Sequence, residues 1–166
     1  MTVIRPATPA DLPAVGRLGA QLLRVHHEFD HERFMRAGPG AETGYAAFLG
    51  AQLEDPSAIV LVAERDGTVV GYLYAGIEPR SWKELRERAG FIHDVLVDEG
   101  SRRGGVADAL LDAGIAWLRG RNVPRVLLWT AARNDPAQRV FRRKGFRSTM
   151  IEMTLELAEA ADSPAT

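Results

Sequence analysis

The chain contains no cysteine. That excludes disulfides, thiolate nucleophiles and zinc–sulfur sites, and it fits a reducing compartment. No apolar run approaches the roughly 18 residues that a membrane-spanning helix requires. The opening MTVIRPATPADL lacks the charged n-region and apolar h-region of a secretory signal. The expectation is a cytoplasmic protein with no membrane partner. Charge of either sign is also missing in bulk: the net charge is −1, so no broad field favours nucleic acid. Any anion site must be local. His27 and His31 stand four apart, a metal-like spacing, but no clear third ligand accompanies them, so no metal is expected.

What is present suits a sizeable core. The chain has 166 residues, 46% of them hydrophobic, which fits one domain. We place that domain at residues 1–157 and expect 158–166, AEAADSPAT, to be a disordered tail.

Val3 and Ile4 open a short strand. Thr8, Pro9 and Asp11 mark a helix start. Leu12, Val15, Leu18, Leu22, Val25 and Phe29 recur at helical spacing behind it. A second helix is expected over 43–54, ended by Asp55-Pro56. Two β-rich runs flank Asp66-Gly67, a hairpin signal. Residues 81–89 read as a short helix or a mobile loop. Strands follow at 90–98 and 125–131, the second read as buried on both faces. Helices are expected at 104–120 and 135–144, with Trp117 and Trp129 in the core. A last strand is expected over about 146–157. The order predicts an α/β fold: a mixed, mostly antiparallel central sheet with helices on both faces.

The stretch SRRGGVADALL, residues 101–111, poses a chemical question. Amides at a helix start lack partners, and the dipole there is positive. Glycines let an anion approach, and Arg102 and Arg103 add planar donors. This describes a phosphate cradle; the other reading is a glycine-rich turn with solvated arginines. The stretch lacks the GK[ST] ending of a P-loop and lacks G-x-G-x-x-G.

Read as R-x-x-G-x-A at Arg102, Gly105 and Ala107, after Val95-Leu96-Val97, it resembles the acyl-CoA signature of the GNAT N-acetyltransferase superfamily. NDPAQRVFRRKGF is similar to that family's second block at Asn134, Ala137, Phe141, Gly145 and Phe146. The motifs cover about residues 92–146, and the element order matches over nearly the whole chain. The resemblance implies a GNAT fold with six to seven strands and acetyl-CoA as the acyl donor, with no metal. It implies that the amides of Arg103, Gly104, Gly105, Val106, Ala107 and Asp108 hold the CoA pyrophosphate. Val95, Leu96 and Val97 would pair with the pantetheine arm, Asn134 would bond it, and Ala137 and Phe141 would line it.

In that family the acceptor amine attacks the thioester directly, so a chain without cysteine loses nothing. Many relatives carry an acidic base on the central strand. The corresponding pair here is His93-Asp94, and strict alternation points at most one of them at the reaction gap. His93 is either the base or a strand histidine bonded to a neighbour. Asp94 binds the amine's charge or anchors the next loop. Glu28, Asp30 and Glu32 read better as a solvated surface than as an acceptor site. Trp82 rims the acceptor site or covers the sheet. Arg142, Arg143 and Lys144 read as a solvated helix end, with the 3′-phosphate of CoA as the alternative. Phe141 departs from the family: many members have a tyrosine whose hydroxyl protonates the leaving thiolate, a role then left to water, Tyr72 or Tyr74.

The expected function is acetyl transfer from acetyl-CoA to a primary amine of a small molecule or peptide. The alternatives are a non-catalytic acyl-CoA sensor and acylation of a protein N-terminus. No nucleic-acid partner is expected, and a homodimer through late strands remains open.

Overall fold

The computed structural model describes residues 1–157; the expected tail at 158–166 lies outside the described residues. The elements are β1 (Thr2–Pro6), α1 (Leu12–Phe29), α2 (Ala41–Gln52), β2 (Ala58–Arg65), β3 (Thr68–Glu78), β4 (Ala89–Val97), α3 (Val106–Arg119), β5 (Val126–Leu128) and α4 (Asp135–Arg143). The sheet order is β1-β2-β3-β4-β5. The first four strands pair antiparallel, and β5 joins β4 in parallel, with α3 as the crossover such a connection needs. No helix among the described residues is long and apolar enough to cross a membrane.

The sheet divides the core in two. Val15 and Leu18 of α1 and Leu49 of α2 pack with Val62, Tyr72 and Leu96 on one face. On the other face Leu110, Leu111 and Leu118 of α3 pack with Leu73, Ile92 and Phe141. Strand period two produces this split: adjacent Tyr72 and Leu73 of β3 enter opposite clusters.

Three expectations fail together at the sheet's far edge. Among the described residues the sheet has five strands, not six or seven. No strand forms over 147–157, and Met150, Ile151, Met153, Leu155 and Leu157 stay exposed. The strand expected over 125–131 shrinks to Val126–Leu128, half-buried rather than enclosed, and Trp129 is exposed rather than core. The causes are linked. A strand needs a neighbour, and β5 pairs with β4 through only three residue pairs, leaving little template for another strand. Trp117 does pack against the core. Of residues 81–89, Ser81 to Arg86 form a turn closed by a bridge between those two residues, and Ala89 already belongs to β4.

The start of α1 is fixed to the sheet by charge. Pro9–Asp11 forms a short 3₁₀ turn that runs into α1. Asp11 accepts from the Thr8 amide and hydroxyl at 2.8 and 2.9 Å. Arg5 donates two bonds to Asp11, at 2.8 and 2.9 Å, and two to Glu64, at 2.9 and 2.7 Å. The Arg5 guanidinium holds the Asp11 carboxyl well below the usual carboxylate range, against the opposing effect of burial. Asp11→Asn is expected to lower stability by about 2 kcal/mol, less than for a fully buried pair because Arg5 is partly exposed. The difference, read by denaturant unfolding, should be full above about pH 4 and fade as pH falls through the depressed folded value.

Candidate active site

The opposed-face expectation for His93 and Asp94 fails at a bulge. Tyr74 stands opposite Asp94, but Ala75 stands opposite Ile92, so His93 is an unpaired extra residue in β4. A bulge lets two consecutive side chains share one face. His93 and Asp94 both line a cavity of about 660 Å³ under α1, α2 and their connection.

His93 lies between two rings. It stacks on Tyr74 and on Phe91, each with centroids 4.7 Å away. Its Nε2 stands 3.2 Å from Glu78 Oε1. That contact favours the tautomer whose Nε2–H donates to Glu78, which leaves the lone pair on Nδ1. Burial pushes the imidazole below its ordinary value, and the carboxylates of Glu78 and Asp94 oppose the shift. Near neutral pH the ring is a neutral base.

Asp94 is held by tyrosines. Its Oδ2 accepts from Tyr45 at 2.5 Å and from Tyr72 at 3.1 Å. Burial raises its pKa, and the two hydroxyls offset part of that rise. Gly19 makes this arrangement possible. A Cβ there would stand 2.0 Å from the Tyr45 ring, so only glycine lets Tyr45 cross α1 to reach the sheet.

The opposite edge of β4 is free of β5 past Ile92, where the pairing of the two strands ends. The Asp98 amide donates to Val70, and antiparallel alternation then directs the backbone of Leu96 toward β3 and that of Val95 and Val97 into the gap. Arg102 folds back, its Nε 3.3 Å from the Val97 carbonyl. Arg103 and Gly105 both have positive φ, 67° and 72°, turning the chain into α3. Among the described residues, the amides of Arg103, Gly104, Gly105, Val106, Ala107 and Asp108 donate to no protein acceptor. A Cβ on Gly104 would lie 3.0 Å from the Arg65 guanidinium, so a further cation stands beside this loop.

Asn134 caps α4, its Oδ1 accepting from Ala137 at 3.3 Å, which leaves its Nδ2 for other partners. Ala137 and Phe141 pack with the α3-side core. Arg143 reaches Asp108, and Lys144 reaches Asp108 and Asp112. These two cations thus fasten α4 to α3 rather than standing free in solvent. Tyr72 and Phe141 belong to opposite faces of the sheet, so Tyr72 does not stand at Phe141's position. Trp82 is exposed and lines a separate small cavity with Arg86. The rings of His26 and His27 contact backbone carbonyls of Leu22 and Phe34. No group of three metal-type side chains converges among the described residues.

The sequence model of the Acetyltransferase (GNAT) family matches residues 22–146. The chain belongs to the GNAT acetyltransferase family. Mycothiol acetyltransferase of Cellulomonas flavigena is 35% identical over 102 residues, which are 60% of this chain and 29% of that protein. The chain thus spans well under half the length of the curated relatives it matches. A mutant of the BH1408 protein of Bacillus halodurans superposes with a TM-score of 0.81 at 23% identity, over 94% of this chain and 99% of that one. Aminoglycoside N-acetyltransferase AAC(6')-Iy in complex with CoA gives a TM-score of 0.74 at 20% identity, over 97% and 96% of the two chains. At these identities the likeness is one of fold.

Sequence reading of this GNAT chain missed Tyr45, Glu78, Arg65 and Gly19. Glu78 was within reach: it lies at even spacing from Tyr72 and Tyr74 on one strand, hence on their face. Tyr45, Arg65 and Gly19 depend on contacts between distant segments and leave no local signal. The histidine geometry is testable by NMR. His93 should titrate below the ordinary value of about 6.5, and Glu78→Gln should push it lower still, because the carboxylate favours the charged ring. An upward or absent shift in that variant would contradict the contact.

Proposed function

We propose that this GNAT chain transfers an acetyl group from acetyl-CoA to the nitrogen of a primary amine by direct attack. The observation that carries the reading is the bulge: it sets a neutral imidazole and a carboxylate side by side on a cavity, on the strand that leads to the free amides opening α3.

The fold supports the donor half of this reading. The amides from Arg103 to Asp108 hold the CoA diphosphate at the positive end of α3, with Arg102, Arg103 and Arg65 as neighbouring cations. The backbone of Val95 and Val97 pairs with the amides of the pantetheine arm, while Leu96 supports them through its bonds to β3. Asn134 offers Nδ2 to the same arm beside Ala137 and Phe141.

The acceptor half supplies the proton chemistry. A lysine-like ammonium needs about 4.6 kcal/mol to become neutral at pH 7, so a base matters. Asp94 attracts the ammonium, and His93 Nδ1 takes its proton while Glu78 holds the other ring nitrogen. The nitrogen lone pair then forms a bond to the thioester carbonyl carbon. The carbon–sulfur bond breaks, its electron pair leaves on sulfur, and the nitrogen's second proton passes through solvent to that thiolate, which leaves a neutral amide and free CoA thiol. A thiol of pKa about 8.5 puts that thiolate only about 2 kcal/mol above its protonated form at pH 7. Phe141 therefore slows departure without preventing it. The tyrosine hydroxyls do not replace an acid there, because Tyr72 donates to Asp94 and Tyr74 to Gln52.

The phenylalanine at 141 favours one rival reading, a non-catalytic acyl-CoA sensor. The exposed apolar side chains of 150–157 and the short β5 support pairing of two copies through this late segment.

Calorimetry with acetyl-CoA and release of CoA thiol across an amine panel test the reading. Saturable binding with thiol release is expected. Binding without release on any amine would favour the sensor, and no heat at all would overturn the donor site. Gly105→Val should weaken acetyl-CoA by about tenfold or more, because valine resists the positive φ that aims the amides. On an accepted amine, Phe141→Tyr should raise kcat; an unchanged value would mean that thiolate departure is not limiting.

A further inference from the structure

We propose that the acceptor is a primary amine on a short alkyl arm bearing an aromatic or branched apolar group, rather than an amino sugar. This deepens the amine-acetylation reading above and rests on it.

The cavity wall is carbon. Tyr45, Phe48 and Tyr74 form a run of edge-to-face rings, with centroids 5.8 and 5.7 Å apart, and His93 stacks at its end. Met35 and Phe48 line the same cavity yet are 71% and 47% exposed. Large apolar side chains open to water at a cavity mouth are what an apolar ligand body would cover.

The tyrosine hydroxyls at that wall already donate to protein partners. Tyr45 and Tyr72 donate to Asp94, and Tyr74 donates to Gln52. No buried side-chain polar atom among the described residues lacks a partner. Beyond Asp94 and His93 the wall offers a ring of sugar hydroxyls few partners, so most of them would lose water without gaining a bond, a heavy penalty for each group.

Charge selects the other end of the acceptor. Among the described residues lining the cavity, Asp94 is the one carboxylate, and no lysine or arginine joins it. Both tyrosines use Oδ2, and Oδ1 receives no donor among the described residues. An ammonium supplies the counter-charge that this desolvated group lacks, and the flanking aromatic faces add cation–π attraction.

The test compares 2-phenylethylamine, butylamine, ethanolamine and glucosamine, by thiol release with acetyl-CoA and by direct calorimetric titration of each amine. We expect kcat/KM for 2-phenylethylamine to exceed that for ethanolamine and glucosamine by about tenfold or more, the discrimination one apolar group commands in a fitted pocket. Phe48→Ala, at a half-exposed position, should raise KM for 2-phenylethylamine more than for ethanolamine. Asp94→Asn should weaken direct binding of every amine. Ethanolamine or glucosamine equalling or surpassing 2-phenylethylamine, with acetyl-CoA still binding, would overturn the acceptor class and leave the donor site standing. Loss of acetyl-CoA binding would instead sink the donor site. The amine titrations would still decide the acceptor: saturable 2-phenylethylamine binding weakened by Phe48→Ala supports it, and absent or unselective binding overturns it.

Discussion

Placing His93 in β4 without a partner on β3 changes which way every later side chain of that strand points. Up to Ile92 the strand alternates and pairs with β5. From His93 onward two polar groups share the α1–α2 face, and the β5 side of the strand is left open. One irregularity thus sets a base and a carboxylate together and leaves backbone groups unpaired on the same segment. A regular strand would separate the two side chains, and the pocket would hold only one of them.

The site's charges are organised locally, as a near-neutral chain requires. Among the described residues no cationic side chain bonds Asp94, which relies on two tyrosine hydroxyls. Glu78 orients an imidazole instead of making a strong ion pair with it. Beside α3, Arg102 ties its loop to the end of β4, while the amides that follow meet no acceptor among the described residues. A group kept neutral by burial and a set of donors kept vacant by backbone geometry are both costly arrangements. Tight packing of α1 on α2, and the ion pairs from Arg143 and Lys144 that join α4 to α3, sustain them.

Much of this was legible in residues. Asp66-Gly67 adopts positive φ at both positions, as a tight turn requires, and the apolar stripes of α1 and α3 were readable from spacing. The loop from Arg102 to Gly105 announced itself because glycine and arginine at a helix start have few other uses. The edge of the sheet was not legible. A run such as RVLLWTA reads as a strand on composition, but whether it forms one depends on a neighbour that sequence does not reveal. The bulge was also silent, since nothing in GFIHDVLVD marks where alternation breaks. Tyr45 and Gly19 are legible only as a pair, and the pair exists only once α2 lies on α1.

The sheet itself is a partition. The helical residues that line the cavity, from Leu23 to Phe48, sit on one side of it, and Arg143 and Lys144 bind α3 and α4 into one block on the other. Substitutions in α2 or in the connection before it can therefore reshape the cavity while the loop that opens α3 stays unaltered. The architecture is modular at the scale of a single sheet, with the paired strands β3 and β4 shared by both sides.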